Sequence, residues 1–109
     1  VLAICHVPVM PGAVLRVRPI GVLMMEDDGG VDEKIVAVPH DKMYPAWSNI
    51  TEYTQLPKIQ IDQITHFFTH YKDLEPGKWA KITGWGDAAT AKKLIVEGLA
   101  RAKEDTKAA

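Results

Sequence analysis

The sequence contains one cysteine, Cys5, in 109 residues. A lone thiol excludes an internal disulfide framework and any zinc cage built on cysteine, and it makes a reducing, cytoplasmic setting the expected one. Nor is there an apolar run near the roughly 20 residues that a membrane-spanning helix requires. An excess of either charge is missing too. Thirteen Lys and Arg against fourteen Asp and Glu leave −1 with His neutral, which argues against a general electrostatic grip on nucleic acid or on a membrane surface. No Gly-rich phosphate loop, Gly-x-Ser-x-Gly elbow, paired-cysteine motif, internal repeat or low-complexity tract occurs. What is present is ordinary for a globular chain: 47% apolar and 25% charged residues, enough for one modest core in a single domain over residues 1–109.

The chain opens Val1-Leu2-Ala3-Ile4. It is strand-like from the first residue and lacks the basic region and cleavage site of a signal peptide, so a start inside a longer domain is expected. Pro11-Gly12 reads as a turn. Alternation predicts a strand over 13–18, with Val14, Arg16 and Arg18 on one side, and a second over 20–25 after the break at Pro19. Residues 26–30 read as a tight acidic connection, 35–38 as a short strand ended by Pro39, and 41–56 as a long loop with a helical turn. Ile61, Ile64, Phe68 and Tyr71 share one helical face, which predicts a helix over 57–74 stopped by Pro76-Gly77. A strand over 78–85 follows. Asp87 is a candidate N-cap for a last helix over 88–103, with Gly98 permitting close packing and 104–109 frayed. Strands first and helices last predict an α+β domain on antiparallel strands.

Five carboxylates fall in the segment Glu26-Asp27-Asp28-Gly29-Gly30-Val31-Asp32-Glu33-Lys34. Their mutual repulsion is relieved if they face a hard divalent cation such as Mg²⁺, which takes oxygen ligands. Asp27 and Asp32 flank a Gly-Gly turn and can converge on one ion, while Lys34 shares a strand face with Asp32 and suits a phosphate oxygen. A solvated acidic hairpin turn is the plainer alternative. His66 and His70 stand one helical turn apart, but the Glu of a zinc-protease helix is missing between them, and two exposed or interfacial histidines fit better. Tyr71 and Lys72 can donate to an anion or can simply pack and be solvated. Arg16 and Arg18 form a weaker anion candidate. Trp79 and Trp85 read as core or rim anchors.

In register, these segments resemble family I soluble inorganic pyrophosphatase of the bacterial type. The resemblance is carried by Pro11-Gly12, by Arg16-Val17-Arg18-Pro19-Ile20-Gly21-Val22-Leu23, by the Asp27 to Lys34 segment and by Val36-Ala37-Val38-Pro39. It continues through His66-Phe67-Phe68, His70-Tyr71-Lys72-Asp73-Leu74-Glu75-Pro76-Gly77-Lys78-Trp79 and Gly84-Trp85 into the last helix. The resemblance implies an OB-like antiparallel β-barrel with two packed helices, incomplete in this chain, and hydrolysis of pyrophosphate to two phosphates with Mg²⁺. It implies that Asp27 and Asp32 hold metal, that Lys34, Tyr71 and Lys72 bind phosphate, and that the enzyme is a homo-oligomer, a hexamer in bacterial relatives. It also implies that the chain is the C-terminal portion of the enzyme, because the family's Asp-x-Asp-Pro-x-Asp motif would immediately precede Val1. A catalytically inactive barrel module binding a partner or an anion is the alternative function.

Overall fold

The computed structural model describes residues 1–108. Four strands, β1 (Leu2–Ala3), β2 (Val17–Asp27), β3 (Gly30–Pro39) and β4 (Ala80–Gly86), and two helices, α1 (Lys58–His70) and α2 (Ala88–Ala108), form the domain. The strands lie in the order β1-β3-β2-β4 in one sheet, which is open and not closed into a barrel. The sequence predicts antiparallel strands throughout, yet β1 pairs parallel to β3, Leu2 opposite Val36. The cause is topological. Residues 4–16 join β1 to β2 at one end of the sheet, so these two run in opposite senses, and β3, the antiparallel return of β2, lies parallel to β1.

The Pro11-Gly12 turn forms, with Ala13 N–H donating to the Met10 carbonyl at 3.1 Å and Gly12 at φ +88°. Of the strand expected over 13–18 only Val17 and Arg18 are strand, as the start of β2; Val14 is fully exposed. Pro19 does not break the chain into two strands. It sits inside β2 beside a register shift between Pro19 and Gly21, beyond the stretch that β4 covers, which begins at Val22. There β2 is an edge on that side, and an edge tolerates a missing N–H. The expected four-residue strand over 35–38 is longer, because β3 pairs with β2 all the way to the Asp27–Gly30 end.

Alternation along β2 and β3 sends residues to two faces, and a helix covers each. Val36 and Val38 join Ile4, Ile20 and Leu56 in the core, with Ile61 and Ile64 of α1 and Trp85 of β4 packed on them. The Trp85 indole donates to Thr65 Oγ1 at 3.1 Å. The adjacent Gly86 faces the other way, toward Val22 and Thr90, where α2 lies. α2 starts as expected: Asp87 Oδ1 accepts from Thr90 N–H at 2.8 Å, an N-cap bond. It runs on through 104–108, so the tail is helical as far as described; Ala109 lies outside the described residues. α1 ends at His70, four residues before the expected stop. Gly98 makes no close packing, since a methyl there would meet only the Arg101 guanidinium at 3.7 Å.

Residues 40–56 hold two single-turn helices, Pro45–Trp47 and Tyr53–Gln55. Arg18 pins this segment to the sheet: Nη2 reaches Asp41 Oδ1 at 3.0 Å and the Trp47 carbonyl at 3.1 Å, and Nη1 bonds the Ile50 carbonyl. Its guanidinium is therefore spent on a structural role. Arg16 is exposed and precedes β2, so no two-arginine anion face exists.

Two glycines make opposite predictions. A methyl at Gly21 would lie 2.8–2.9 Å from Tyr53, whose ring is stacked on Trp85 at 4.8 Å and cannot retreat. Gly21→Ala should cost about 1–3 kcal/mol by overpacking. Gly98→Ala, in a helix with free space, should stabilise by about 0.5–1 kcal/mol. Urea midpoints check both; an unchanged midpoint for Gly21→Ala would contradict the packing described.

Candidate active site

The site forms where the polar end of the β2–β3 hairpin meets the C-terminal end of α1. Asp27 stands opposite Gly30, and Asp28-Gly29 form the two-residue connection. Gly30 has φ +116°, a conformation that favours glycine. Asp27 Oδ1 accepts from Gly29 N–H at 2.8 Å and closes the turn, the local bond that makes Asp a good turn residue. In this register Met25 faces Asp32 and Leu23 faces Lys34. Asp27, Asp32 and Lys34 therefore share the face that α1 covers, continuing the buried row of Leu23, Met25, Val36 and Val38. Asp27 and Asp32 are diagonal neighbours, a relation that sets their positions roughly 7–8 Å apart.

The turn after α1 delivers the other groups. Lys72 Nζ lies 2.9 Å from Asp27 Oδ2 and 3.3 Å from Asp28 Oδ1. Lys78 Nζ reaches Asp28 Oδ2 at 3.2 Å, and Lys34 Nζ reaches Asp32 Oδ2 at 2.8 Å. Aromatic rings bridge the two ion-paired groups. Lys34 Nζ is 5.5 Å from the Phe68 ring centre, Tyr71 packs edge-to-face on Phe68 at 5.4 Å, and Lys72 Nζ is 5.6 Å from the Tyr71 ring centre. All five residues singled out in the sequence thus belong to one cluster. Asp28, Lys78 and Phe68 also belong to it, and sequence reasoning did not assign them to the site. Asp28 stood within the acidic run; Lys78 carried no local signal, because its partner is fifty positions away in the chain.

The electrostatics follow from these contacts. The hydrogen bond from Lys72, then that from Gly29 N–H, holds the Asp27 carboxyl below its ordinary 3.8. Desolvation opposes ionisation of Asp28, but bonds from Lys78 and Lys72 outweigh it, and its pKa is also lowered. Lys72 is held above its ordinary 10.5, first by the bond to Asp27.

His66 and His70 are exposed, their rings 4.5 Å apart, and His70 Nδ1 pairs with Asp73 Oδ2 at 2.8 Å. Among the described residues no group of three or more His, Cys, Asp or Glu side chains converges as a metal cage. The hairpin's own donor set nevertheless fits a hard cation: it is all oxygen, it offers two carboxylates on one face, and it already holds a positive charge, the Lys72 ammonium, as a stand-in. Mg²⁺ is commonly bound by one or two carboxylates together with water and phosphate oxygens.

Residues 1–103 match the Pyrophosphatase family, described as inorganic pyrophosphatase. The chain belongs to this family. It is 59% identical over 95 residues to the inorganic pyrophosphatase of Mesorhizobium japonicum, covering 87% of this chain and 54% of that protein. The inorganic pyrophosphatase of Agrobacterium fabrum is 58% identical over 101 residues, covering 92% of this chain and 57% of that protein. The crystal structure of inorganic pyrophosphatase from Thermus thermophilus superposes with a TM-score of 0.88 at 36% identity, over 94% of this chain and 59% of that one. The chain spans a little over half the length of these relatives.

The Lys72 contact makes a prediction about acid. A carboxyl whose folded pKa is depressed stabilises the fold above its unfolded pKa, and that contribution is lost as the pH falls through the folded value. Asp27 should therefore titrate below 3.8, read from its side-chain carboxyl carbon by NMR, and should move up toward 3.8 in Lys72→Met. A titration at or above 3.8 in the unmodified protein would contradict the ion pair.

Proposed function

We propose that this chain is the C-terminal portion of an inorganic pyrophosphatase that hydrolyses pyrophosphate to two phosphates with Mg²⁺. The observation that carries the reading is the clustering of Asp27, Asp32, Lys34, Tyr71 and Lys72 at one end of the hairpin face, in a chain of that family. Asp27 and Asp32 would hold the metal. When bound, Mg²⁺ supplies positive charge that polarises the phosphoryl oxygens. Lys34 and Lys72 act as point charges on phosphate oxygens, and the Tyr71 hydroxyl donates a hydrogen bond. The Phe68 and Tyr71 rings stand 5.5 and 5.6 Å from the Lys34 and Lys72 ammoniums and help to position them.

Phosphate release from pyrophosphate by the whole protein should require Mg²⁺ and stop with EDTA; release that survives chelation would contradict the metal reading. Asp32→Asn should slow turnover roughly a hundredfold or more, the loss of one charged metal ligand. Asp28→Asn removes only a partner of Lys72 and Lys78 and should do less damage. Equal effects would favour a solvated acidic turn.

Residues 1–109 assayed alone should show no appreciable turnover, because two carboxylates leave a small hard cation mostly hydrated and do not position an attacking water. Turnover within about tenfold of the whole protein would contradict this assignment of the chemistry. A cytoplasmic homo-oligomer, a hexamer in the whole enzyme, completes the reading. Support for assembly comes from the exposed Phe67 beside the outward-facing pair His66 and His70 on α1. Sedimentation should give a species larger than a monomer, and a monomer at all concentrations would contradict it.

A further inference from the structure

We infer that Lys72 is a built-in competitor of the metal: its ammonium occupies the cation position on Asp27 until a divalent ion displaces it, and that displacement frees Lys72 for a phosphate. The inference rests on the reading of Asp27 as a metal ligand given above. The two oxygens of Asp27 have different partners. Oδ1 is committed to the turn, accepting from Gly29 N–H at 2.8 Å. Oδ2 is the oxygen left for a cation, and Lys72 Nζ sits on it at 2.9 Å. Only 15% of the Asp27 side chain and 18% of the Lys72 side chain are exposed. An ion that binds Asp27 Oδ2 where Lys72 Nζ now sits must take the place of the ammonium.

Release is local and leaves no carboxylate stranded. Asp28, which also accepts from Lys72 at 3.3 Å, keeps Lys78 at 3.2 Å as a second partner. Lys72 projects from the turn after α1 on a flexible four-carbon stem, so its ammonium can move without moving the backbone. Three carboxylates face three ammoniums before exchange, and a divalent ion adds two positive charges to that cluster. Before exchange, the ammonium neutralises Asp27; afterwards the divalent ion does so, and Lys72 is left short of anionic partners beside the metal. A phosphate supplies the missing anion there.

The exchange couples the two ligands. A metal pays for Lys72 release through a weakened apparent affinity, because only the released fraction of molecules is competent to bind it. A phosphate that draws Lys72 away raises metal affinity, and by reciprocity the metal raises phosphate affinity by the same factor. The coupling is the same whichever ligand binds first.

The test uses the whole protein and Mg²⁺ alone, without pyrophosphate. Amine acylation followed by peptide mass mapping should show Lys72 protected without Mg²⁺ and reactive at saturating Mg²⁺, with Lys81 on β4 unchanged as the reference. Calorimetric titration should show Lys72→Met binding Mg²⁺ roughly tenfold more tightly than the unmodified protein. If the unmodified protein binds Mg²⁺ while Lys72 labelling stays constant, or if Lys72→Met binds no more tightly, the competitor role is overturned and the metal reading stands. If the unmodified protein binds no Mg²⁺, the metal reading falls and the competitor role with it. The labelling needs no variant, so it decides the matter even where Lys72→Met fails to fold.

Discussion

The register of β2 against β3 is the constraint on which the site depends. With Asp27 opposite Gly30 and Met25 opposite Asp32, the hairpin sends Asp27, Asp32 and Lys34 to the face that α1 covers. A slip of one residue would move Asp32 and Lys34 to the α2 face and bury two charges against Val22 and Ala91, both fully buried. Two features fix the register. Leu23, Met25, Val36 and Val38 lie on one face in this alignment and are buried there, and a slip of β3 by one residue would turn Val36 and Val38 away from it. At the other end, the bond from Gly29 N–H to Asp27 and the positive φ of Gly30 close the turn at one length. The core thus sets where the chemistry stands.

The site is also an electrostatic solution to its own crowding. Three carboxylates, Asp27, Asp28 and Asp32, face three ammonium groups, Lys34, Lys72 and Lys78. Two of those lysines arrive from the turn after α1. The packing of Ile61, Ile64 and Trp85 that seats α1 on the sheet therefore also neutralises the hairpin. Fold stability and site charge are coupled through one helix. Under the proposed function, an anion with several negative charges would meet these three ammoniums at one end of the hairpin face.

The parts of this arrangement legible in the sequence were those with local signatures. The acidic run with its Gly-Gly turn, the alternation that places Lys34 with Asp32, the apolar face of α1 and the Asp87 cap are all encoded within a few residues. Partners distant in sequence were not legible. Lys72 bonding Asp27 and Lys78 bonding Asp28 require the whole sheet to bring the turn after α1 to the hairpin. Arg18 is only a weak anion candidate in the sequence, and its structural role was not legible because a strand arginine has no local marker for the carbonyls of Trp47 and Ile50 that it meets. Pro19 looked like a strand break because its position beyond β4 is a property of the sheet, not of the dipeptide. Gly98 looked like a packing contact because helical spacing alone does not say how much of α2 is covered.

In the proposed function the Asp27 and Asp32 face of the hairpin holds a metal beside a phosphate. Anomalous diffraction from crystals of the whole protein grown with Mn²⁺ and phosphate tests it most directly. An Mn²⁺ peak bonded to Asp27 Oδ2 and Asp32, with phosphate on Lys34, Tyr71 and Lys72, is the expected result. Mn²⁺ located elsewhere, with Lys72 still on Asp27 and phosphate remote from Lys34, would contradict it.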